Sequence, residues 1–369
     1  MEGLTGHIFR NALERYFPGT DRYFTPFIAP DQKKILRTKE TRDVLPENNL
    51  AQHIVPQILT NNPEHFIRTT EVLQELGYDE VNLNLGCPSG TVVSRGRGSG
   101  FLAYPEELDR FLEQIFAGSK TKISIKTRVG VDNSDDAFRL LEIYRQYPLS
   151  ELIIHPRTRA EFYRGVPNLE LFGELAKWWR DSFAHESHEK NTAAAQYKNV
   201  QAAGGEAGVP LCYNGNIMSI TDYQNFTARF PEIDCIMVGR GAIANPGLIR
   251  QLKIGTPTDK KSLRAFHDEI LEAQREMVQE DKNAMFRMKE IWIYLIHLFG
   301  PTAQEQAEQE RIYGEAARKL TAEARTAEKC AKKIRKAQSL AEYKCAVDQL
   351  FAECELLESG PKKWNLPQR

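Results

Sequence analysis

A single cysteine at the end of a strand-like run carries the clearest chemical signal in the chain. Cys87 lies in the segment Asn82-Leu-Asn-Leu-Gly-Cys-Pro88, at the end of an apolar run from Val81 to Leu85. Glycine before the thiol and proline after it indicate a sharp turn where the strand stops. The carboxyl ends of strands are where α/β enzymes place their reacting groups. We therefore interpret Cys87 as a candidate catalytic residue rather than a small apolar residue packed under a turn.

A lysine and a histidine lie at the ends of the next two predicted strands. Lys126 lies in Lys126-Thr-Arg128, and His155 opens His155-Pro-Arg-Thr-Arg159. A buried lysine and a histidine at neighbouring strand ends can hold an electron-rich ring, because the ammonium stabilises negative charge as it develops. Alone, either residue is more typical of a surface lysine or of a satisfied histidine. Together with Cys87 they favour a site.

Two glycine-containing loops follow the last two predicted strands and indicate an anion site. Their sequences are Asn214-Gly-Asn-Ile217 and Gly239-Arg-Gly-Ala242. In barrels, the loops after strands seven and eight commonly bind phosphate through backbone N–H groups, and Arg240 adds a positive charge. A third segment, Gly96-Arg-Gly-Ser-Gly100, follows the cysteine loop rather than a strand and lacks the spacing of a Rossmann fingerprint. We predict a flexible, positively charged lid or a plain loop there.

Strand-like and helix-like runs alternate between Tyr23 and Val238. The predicted strands are Tyr23–Ile28, Gln52–Leu59, Glu80–Leu85, Lys122–Arg128, Leu152–His155, Pro210–Asn214 and Cys235–Val238. The predicted helices between them include Pro63–Leu76, Pro105–Phe116, Asp135–Tyr147, Leu169–Arg180 and Ile220–Phe230. This alternation predicts an α/β fold with a parallel sheet, here a (β/α)8 TIM barrel whose first strand is missing ahead of Glu2. An open sheet is the alternative.

Beyond residue 260, strand signals vanish and helical periodicity takes over. We therefore predict a barrel domain over residues 1–255, a helical domain over 260–358 and a tail over 359–369. A polar, glycine-rich stretch at 182–208 is predicted to be an exposed insertion, and its His185 and His188 to be surface residues. Basic residues gather in the helical domain, among them Arg287 and Lys289. They are typical either of a solvated helix face or of a surface that contacts a phosphate backbone.

The composition is ordinary for a globular protein. The 369 residues are 41% hydrophobic and 27% charged, with a net charge of -1. This balance gives no general attraction to nucleic acid, so RNA binding needs a local basic surface. The six cysteines form no C-x-x-C pair and no zinc-finger spacing, so we expect no metal site. With no secretory leader and no membrane-length apolar run, a reducing cytoplasm is the expected setting.

Taken together, these motifs resemble those of the tRNA-dihydrouridine synthases. The motifs are Asn82-Leu-Asn-Leu-Gly-Cys-Pro88, Gly98-Ser99, Lys126-Thr-Arg-Val-Gly130, His155-Pro-Arg-Thr158, Asn214-Gly-Asn-Ile217, Val238-Gly-Arg-Gly-Ala242, Arg287-Met-Lys-Glu-Ile-Trp292 and Lys333-Ile-Arg-Lys-Ala337. The resemblance covers nearly the whole chain. It implies an FMN-binding (β/α) barrel followed by a helical tRNA-binding domain, and NADPH-dependent reduction of uridine to 5,6-dihydrouridine in tRNA.

The resemblance also implies roles for individual residues. Cys87 is expected to give a proton to C5 of uracil while reduced flavin delivers hydride to C6. An unperturbed thiol stays protonated near neutral pH, which suits an acid better than a nucleophile. The expected cofactor contacts are Gln57, Asn84, Lys126, His155, Asn214, Gly215, Asn216, Gly239 and Arg240, and the expected RNA contacts are Arg97, Arg157, Arg159, Arg287 and Lys289. No membrane and no obligatory protein partner is expected.

Some positions depart from the family pattern, and two other functions stay open. The strand ending in Ala-Pro-Met that usually precedes Glu-Gly-Leu-Thr is represented only by Met1, and Pro156 and Arg97 stand where glycine and alanine are common. One alternative is a flavin barrel acting on a free pyrimidine, against which the basic helical domain argues. The other is a non-catalytic RNA-binding barrel, against which the retained site residues argue.

Overall fold

The computed structural model of the protein describes residues 1–51, 53–184, 208–299 and 315–357. The insertion predicted at 182–208 lies almost wholly outside the described residues, and so do His185, His188 and the predicted tail at 359–369.

Seven parallel strands form one sheet in the order of the sequence. They are β1 (Tyr23–Ile28), β2 (Ile54–Ile58), β3 (Glu80–Leu85), β4 (Lys122–Arg128), β5 (Leu152–His155), β6 (Leu211–Tyr213) and β7 (Cys235–Ile236). Sequential order means that every crossover advances by one strand in the same direction, which is how (β/α) barrels are wound.

A contact between the beginnings of β1 and β5 shows that this sheet curls. Arg22 Nη2 donates a hydrogen bond to Glu151 Oε1 at 2.5 Å, although the two residues precede strands that are four places apart in the sheet. In a flat sheet four strand spacings would separate them by about 19 Å. The predicted α/β barrel architecture is therefore confirmed, while the strand expected ahead of Glu2 stays a prediction.

Helices follow the strands and continue to the end of the described chain. They are α1 (His7–Tyr16), α2 (Thr38–Val44), α3 (Pro63–Glu75), α4 (Gly90–Val93), α5 (Pro105–Gly118), α6 (Ala137–Tyr144), α7 (Leu169–Ala184), α8 (Ile220–Arg229), α9 (Arg240–Ala244), α10 (Leu248–Ile254), α11 (Lys260–Val278), α12 (Asp281–Leu295), α13 (Glu315–Lys336) and α14 (Leu340–Glu353). Short 3-10 turns span Pro46–Asn48, Gly98–Ala103 and Ile296–Leu298. Pro63 and Pro105 open α3 and α5 as predicted, since the first helical position needs no N–H donor.

Strand β3 shows how the sheet sorts its side chains. Val81, Leu83 and Leu85 are fully buried and alternate with the polar Asn82 and Asn84. Because side chains alternate along a strand, the leucines and valine share one face of the sheet and the asparagines share the other. Registered partners on neighbouring strands point to the same face, so Gln57, Ser124 and Lys126 lie with the asparagines. This polar face carries the candidate site.

The chain packs into two compact units. The first contains residues 1–2, 22–215 and 227–237, and therefore the whole sheet. The second contains residues 3–21, 216–226 and the chain from Val238 onward. Within it, the Phe9 ring meets the Phe266 ring edge-on at a centroid distance of 5.4 Å, so α1 packs on α11. The domain boundary predicted between residues 255 and 260 stays a prediction.

None of the described helices combines the length and the apolar character that a membrane span requires.

Candidate active site

The turn that carries Cys87 is held by hydrogen bonds from three directions. Asn84 Oδ1 accepts bonds from the backbone N–H groups of Gly86 and Cys87, both at 3.0 Å. Arg128 Nε donates to the Gly86 carbonyl at 2.8 Å. Ser99 Oγ and Ser99 N donate to the Cys87 carbonyl at 2.9 and 3.1 Å. These bonds hold the half-buried thiol at the carboxyl end of β3.

A chain of side-chain amides extends from this turn across β2, β3 and β4. Asn84 Nδ2 donates to Gln57 Oε1 at 2.7 Å, and Gln57 Nε2 donates to Asn82 Oδ1 at 2.8 Å. Asn82 Nδ2 then donates to Ser124 Oγ at 3.0 Å. Each of these amide groups uses one of its two N–H donors within the described structure. Gln57 and Asn84 keep exposures of 9% and 7%, so each can offer its second donor to a bound molecule.

Lys126 presents an ammonium group without a partner on the same face. Within the described residues its Nζ makes no hydrogen bond and no ion pair. A Cβ atom added at Gly86 would lie 3.7 Å from this nitrogen. The residue is partly exposed, but heavy atoms surround its amine closely. This desolvation, with a smaller contribution from Arg128, lowers the pKa of Lys126 to about 8. Such a cation favours an anionic or electron-rich partner.

The Cys87 thiol stays protonated at neutral pH. Burial raises its pKa above the ordinary value, against the opposing effects of a backbone bond at Ser89 and of the cations Arg128 and Lys126. A thiol in this state can donate a proton, and the two cations favour the thiolate that remains. The arrangement suits a general acid better than a resting thiolate nucleophile.

His155 lies at the end of β5 with one tautomer favoured. Its Nε2 is 3.2 Å from Arg157 Nη1, and a guanidinium only donates, so Nε2 accepts and the proton of the neutral ring sits on Nδ1. The Tyr163 ring stacks on His155 at a centroid distance of 6.2 Å and lies 5.4 Å from the Arg128 guanidinium carbon. Tyr163 is 47% exposed, so it offers aromatic surface beside the site.

Arg157 has a structural environment that does not fit the RNA contact expected of it. Its side chain is fully buried and donates to the carbonyls of Arg164 at 3.1 Å and Gly165 at 2.6 Å, besides its contact with His155. A guanidinium enclosed in this way holds the loop after β5 and cannot reach a phosphate. Arg159, by contrast, is partly exposed and pairs with Asp132 at 2.9 Å.

The segment Gly98–Gly100 is a packed part of the site, so the prediction of a flexible lid is wrong for it. All three residues are buried at the start of a 3-10 turn. Gly98 has a φ of +56°, and a Cβ there would lie 2.7 Å from the Cys87 carbonyl oxygen, so only glycine fits. Arg97, just before it, is partly exposed, and burial together with Arg95 and Arg37 lowers its pKa.

The residues expected around a phosphate fall into both compact units. In the first, Asn214 Nδ2 donates to the Met237 carbonyl at 2.8 Å, and Gly215 packs so closely on Tyr213 that a Cβ would lie 1.8 Å from its hydroxyl oxygen. In the second, Arg240 Nη2 donates to Asn216 Oδ1 at 2.8 Å. Gly239 immediately precedes α9.

The two basic residues singled out on α12 differ in their surroundings. Lys289 Nζ donates to the Ala337 carbonyl at 2.6 Å, just beyond the end of α13, and burial lowers its pKa. Its ammonium therefore supports a helix end. Arg287 is 44% exposed and lies 3.7 Å from Glu290, which leaves most of its guanidinium accessible.

Two residues near the thiol have no counterpart among the predicted site residues. Arg128 orients the cysteine turn, and Tyr163 covers His155. An arginine in an otherwise buried strand was a usable signal for the first, because a buried guanidinium needs several acceptors. No local pattern marks Tyr163, whose position depends on the loop that Arg157 holds.

Comparisons with known proteins agree with one another. The family described as "Dihydrouridine synthase (Dus)" matches residues 1–173 and 184–339. The "tRNA-dihydrouridine synthase B" of Pasteurella multocida is 23% identical over 69% of this chain and 67% of its own length. The "Probable tRNA-dihydrouridine synthase 2" of Bacillus subtilis is 28% identical over 67% of this chain and 68% of its own. The "tRNA-dihydrouridine(47) synthase [NAD(P)(+)]" of Aspergillus fumigatus is 29% identical over 56% of this chain and 30% of its own.

Proposed function

Because the chain belongs to the dihydrouridine synthase family, we propose that it reduces uridine to 5,6-dihydrouridine in tRNA, with FMN as its flavin and NADPH as reductant. Membership confirms the resemblance drawn from the sequence motifs and makes the chain an oxidoreductase. The printed names of the relatives support tRNA as the substrate, and one of them supports a nicotinamide reductant.

The observation that carries this proposal is the state of Cys87. Its thiol is half-buried, is held at the carboxyl end of β3 by Asn84, and keeps its proton at neutral pH. Reduction of a carbon–carbon double bond adds one hydride and one proton, so it needs a positioned acid. Cys87 is a group in this site that meets that need.

The polar face of the sheet fits an isoalloxazine ring. Lys126 has an unpartnered ammonium, and Gln57 and Asn84 each have a spare amide N–H. A flavin ring offers carbonyl oxygens and ring nitrogens as acceptors for such donors, and it gains negative charge when reduced. We assign these residues and His155 to the ring of FMN. Its phosphate is assigned to Asn214, Gly215, Asn216, Gly239 and Arg240, on the family resemblance alone.

Each residue of the proposed site has a separate role in the reaction. Bound flavin, once reduced by NADPH, supplies the hydride that is added to C6 of uracil. Cys87 donates its proton to C5, and the positive charges of Arg128 and Lys126 stabilise the thiolate until it regains a proton from solvent. The Asn84 bonds to the turn keep the sulfur in position for this transfer. A base must leave its stack to reach such a site, and the exposed Tyr163 ring offers it a stacking surface.

Local basic residues serve RNA binding in this proposal. Arg287 is exposed and Arg97 and Arg159 are partly exposed, whereas Arg157 is buried and Lys289 donates to the Ala337 carbonyl. Affinity that depends on such phosphate contacts falls as the salt concentration rises. We further propose that the chain acts in the cytoplasm without an obligatory protein partner.

The test uses unmodified tRNA incubated with the purified chain, FMN and NADPH. Mass spectrometry of the digested nucleosides is expected to show dihydrouridine, and the protein's absorbance spectrum is expected to show bound flavin. Free uridine serves as the comparison substrate. Reduction of free uridine at the same rate as tRNA would favour the flavin barrel that acts on a free pyrimidine. Failure to bind flavin would favour the non-catalytic RNA-binding barrel.

A further inference from the structure

A second cluster of reactive side chains lies around the beginnings of β5 and β7 and the middle of β6. Glu151 precedes β5, Cys212 lies in β6, and Cys235 opens β7. The two sulfurs and a carboxylate oxygen of Glu151 all lie within 4.8 Å of one another. Cys212 and Cys235 are registered partners on neighbouring strands, so the sheet itself brings their side chains together.

The contacts within this cluster leave one oxygen without a partner. Glu151 Oε1 accepts bonds from Arg22 Nη2 at 2.5 Å and from Cys235 Sγ at 3.1 Å. Glu151 Oε2 is buried without a hydrogen bond to any residue that the structure describes, and the residue is only 2% exposed. Arg22 Nη2 is also 3.9 Å from Cys235 Sγ, and the Cys212 thiol lies 3.8 Å from the Tyr213 carbonyl oxygen. A buried carboxylate oxygen without a partner is costly and points to a missing ligand.

We propose that Glu151, Cys212 and Cys235 bind one zinc ion. Two thiolates and one carboxylate form a donor set that zinc accepts, with a fourth tetrahedral position left for water. Zinc–sulfur bonds of about 2.3 Å place neighbouring donor atoms about 3–4 Å apart. The present spacing of these atoms already approaches that distance, so binding needs only small side-chain movements.

The protons balance for a zinc complex. The two positive charges of the ion offset the two thiolates, while Arg22 stays paired with Glu151 at 2.5 Å and with Glu80 at 3.6 Å. Each cysteine loses its proton to solvent when its Zn–S bond forms, while Glu151 binds the ion through the oxygen that lacks a partner. Arg22 keeps its bond to the other oxygen and orients the ligand. Thiolate ligands favour zinc over magnesium or calcium, which prefer oxygen.

Such an ion would connect β5, β6 and β7. It runs against our expectation of no metal site, which rested on the absence of closely spaced cysteines. That reasoning fails here because residues 151, 212 and 235 become neighbours only through parallel strand pairing.

The test uses the full-length protein, reduced with a phosphine and freed of metal by dialysis against a chelator. Titration with Co²⁺, a spectroscopic substitute for zinc, is expected to give a sulfur-to-cobalt charge-transfer band that zinc then abolishes. X-ray absorption of the zinc form is expected to show about two sulfur ligands at about 2.3 Å. Binding is expected to release about two protons per ion, measured by calorimetry in buffers of different ionisation enthalpy.

Substitutions of the proposed ligands test where the zinc ion binds. Cys212→Ser and Cys235→Ser are expected to lose the charge-transfer band, while Cys354→Ser, which removes another buried thiol, keeps it. Glu151→Gln retains the side-chain volume and is expected to weaken zinc binding at least tenfold. Circular dichroism identifies any variant that fails to fold, and Glu151→Gln then decides the outcome. The proposal is overturned if the reduced protein binds no zinc, if these variants bind it unchanged, or if Cys212 and Cys235 form a disulfide that resists the phosphine.

Discussion

The surroundings of a cation and of a thiol differ between the two ends of the sheet. At the carboxyl end, Lys126 has no anionic partner among the described residues, and the Cys87 thiol is half-buried. At the amino end, Arg22 pairs with the buried Glu151, and Cys212 is fully buried beside them. Both thiols have pKa values raised by burial. The carboxyl end is the one that we propose to bind flavin and substrate, while at the amino end the Arg22–Glu151 pair stabilises the fold and Glu151 keeps one oxygen for the proposed zinc ion.

The largest expected effect is on catalysis. Cys87→Ala is expected to lower the rate of uridine reduction in tRNA by about a hundredfold to ten-thousandfold, because it removes the positioned acid. Flavin content is expected to stay unchanged, as judged by absorbance. The matched control is Cys345→Ala, which removes an exposed thiol and is expected to keep full activity. A decrease of less than threefold in the rate of uridine reduction by Cys87→Ala would contradict the assigned role of Cys87 as the acid.

The next effect is on stability at the amino end. Arg22→Met is expected to lower the free energy of unfolding by about 3 kcal/mol, since it leaves the buried Glu151 carboxylate unpaired. The double variant Arg22→Met/Glu151→Gln is expected to recover most of that loss. Urea unfolding of the metal-free protein measures both. If Arg22→Met is as stable as the parent protein, the Arg22–Glu151 ion pair does not stabilise the fold.

A smaller effect is expected on cofactor affinity at the carboxyl end. Lys126→Met is expected to weaken FMN binding about 10- to 100-fold, because it removes a charged hydrogen-bond donor from the ring site. Lys122→Met serves as the control, since Lys122 lies in the same strand but pairs with Asp79 at 3.5 Å and is partly exposed. Fluorescence quenching of added FMN measures both affinities. Equal affinity in the two variants would contradict the assigned role of Lys126.

The smallest expected effect concerns pH. Without flavin, the pKa of Lys126 is about 8 in the folded chain against an ordinary value of 10.5. Between these values the unfolded state binds more protons, so the Lys126 contribution to stability rises with pH by about 1 kcal/mol, after the pKa difference is discounted for solvent screening of this partly exposed residue. Below pH 8 the folded chain retains the full cost of the buried ammonium. Lys126→Met is expected to be more stable than the parent at pH 7 and to lose this rise; an unchanged pH profile would show that the ammonium is well solvated.

Local patterns were sufficient to predict most of the sheet. The bounds of β1, β3, β4 and β5 agree with the predicted ones because each is a continuous apolar or alternating run that ends in turn residues. Helix α2 was not predicted, since its sequence, Thr38–Val44, is short and polar. It is stabilised by Glu40, whose carboxylate accepts from the backbone N–H of Arg37 at 2.6 Å.

Tertiary contacts explain what the sequence could not show. The family resemblance implied an RNA contact for Arg157, yet the loop after β5 encloses its side chain. Arg22 and Glu151 stand 129 residues apart, and only the curling of the sheet brings them together. The roles of Gln57, Asn84, Lys126 and His155 toward a flavin stay predictions.

The most direct test of the proposed function is nucleoside mass spectrometry of unmodified tRNA after incubation with FMN, NADPH and either the parent chain or Cys87→Ala. We expect dihydrouridine with the parent chain and almost none with the variant, at equal flavin content. Equal amounts of dihydrouridine from both proteins would show that Cys87 is not the acid. No dihydrouridine from a flavin-loaded parent chain would contradict the proposed activity itself.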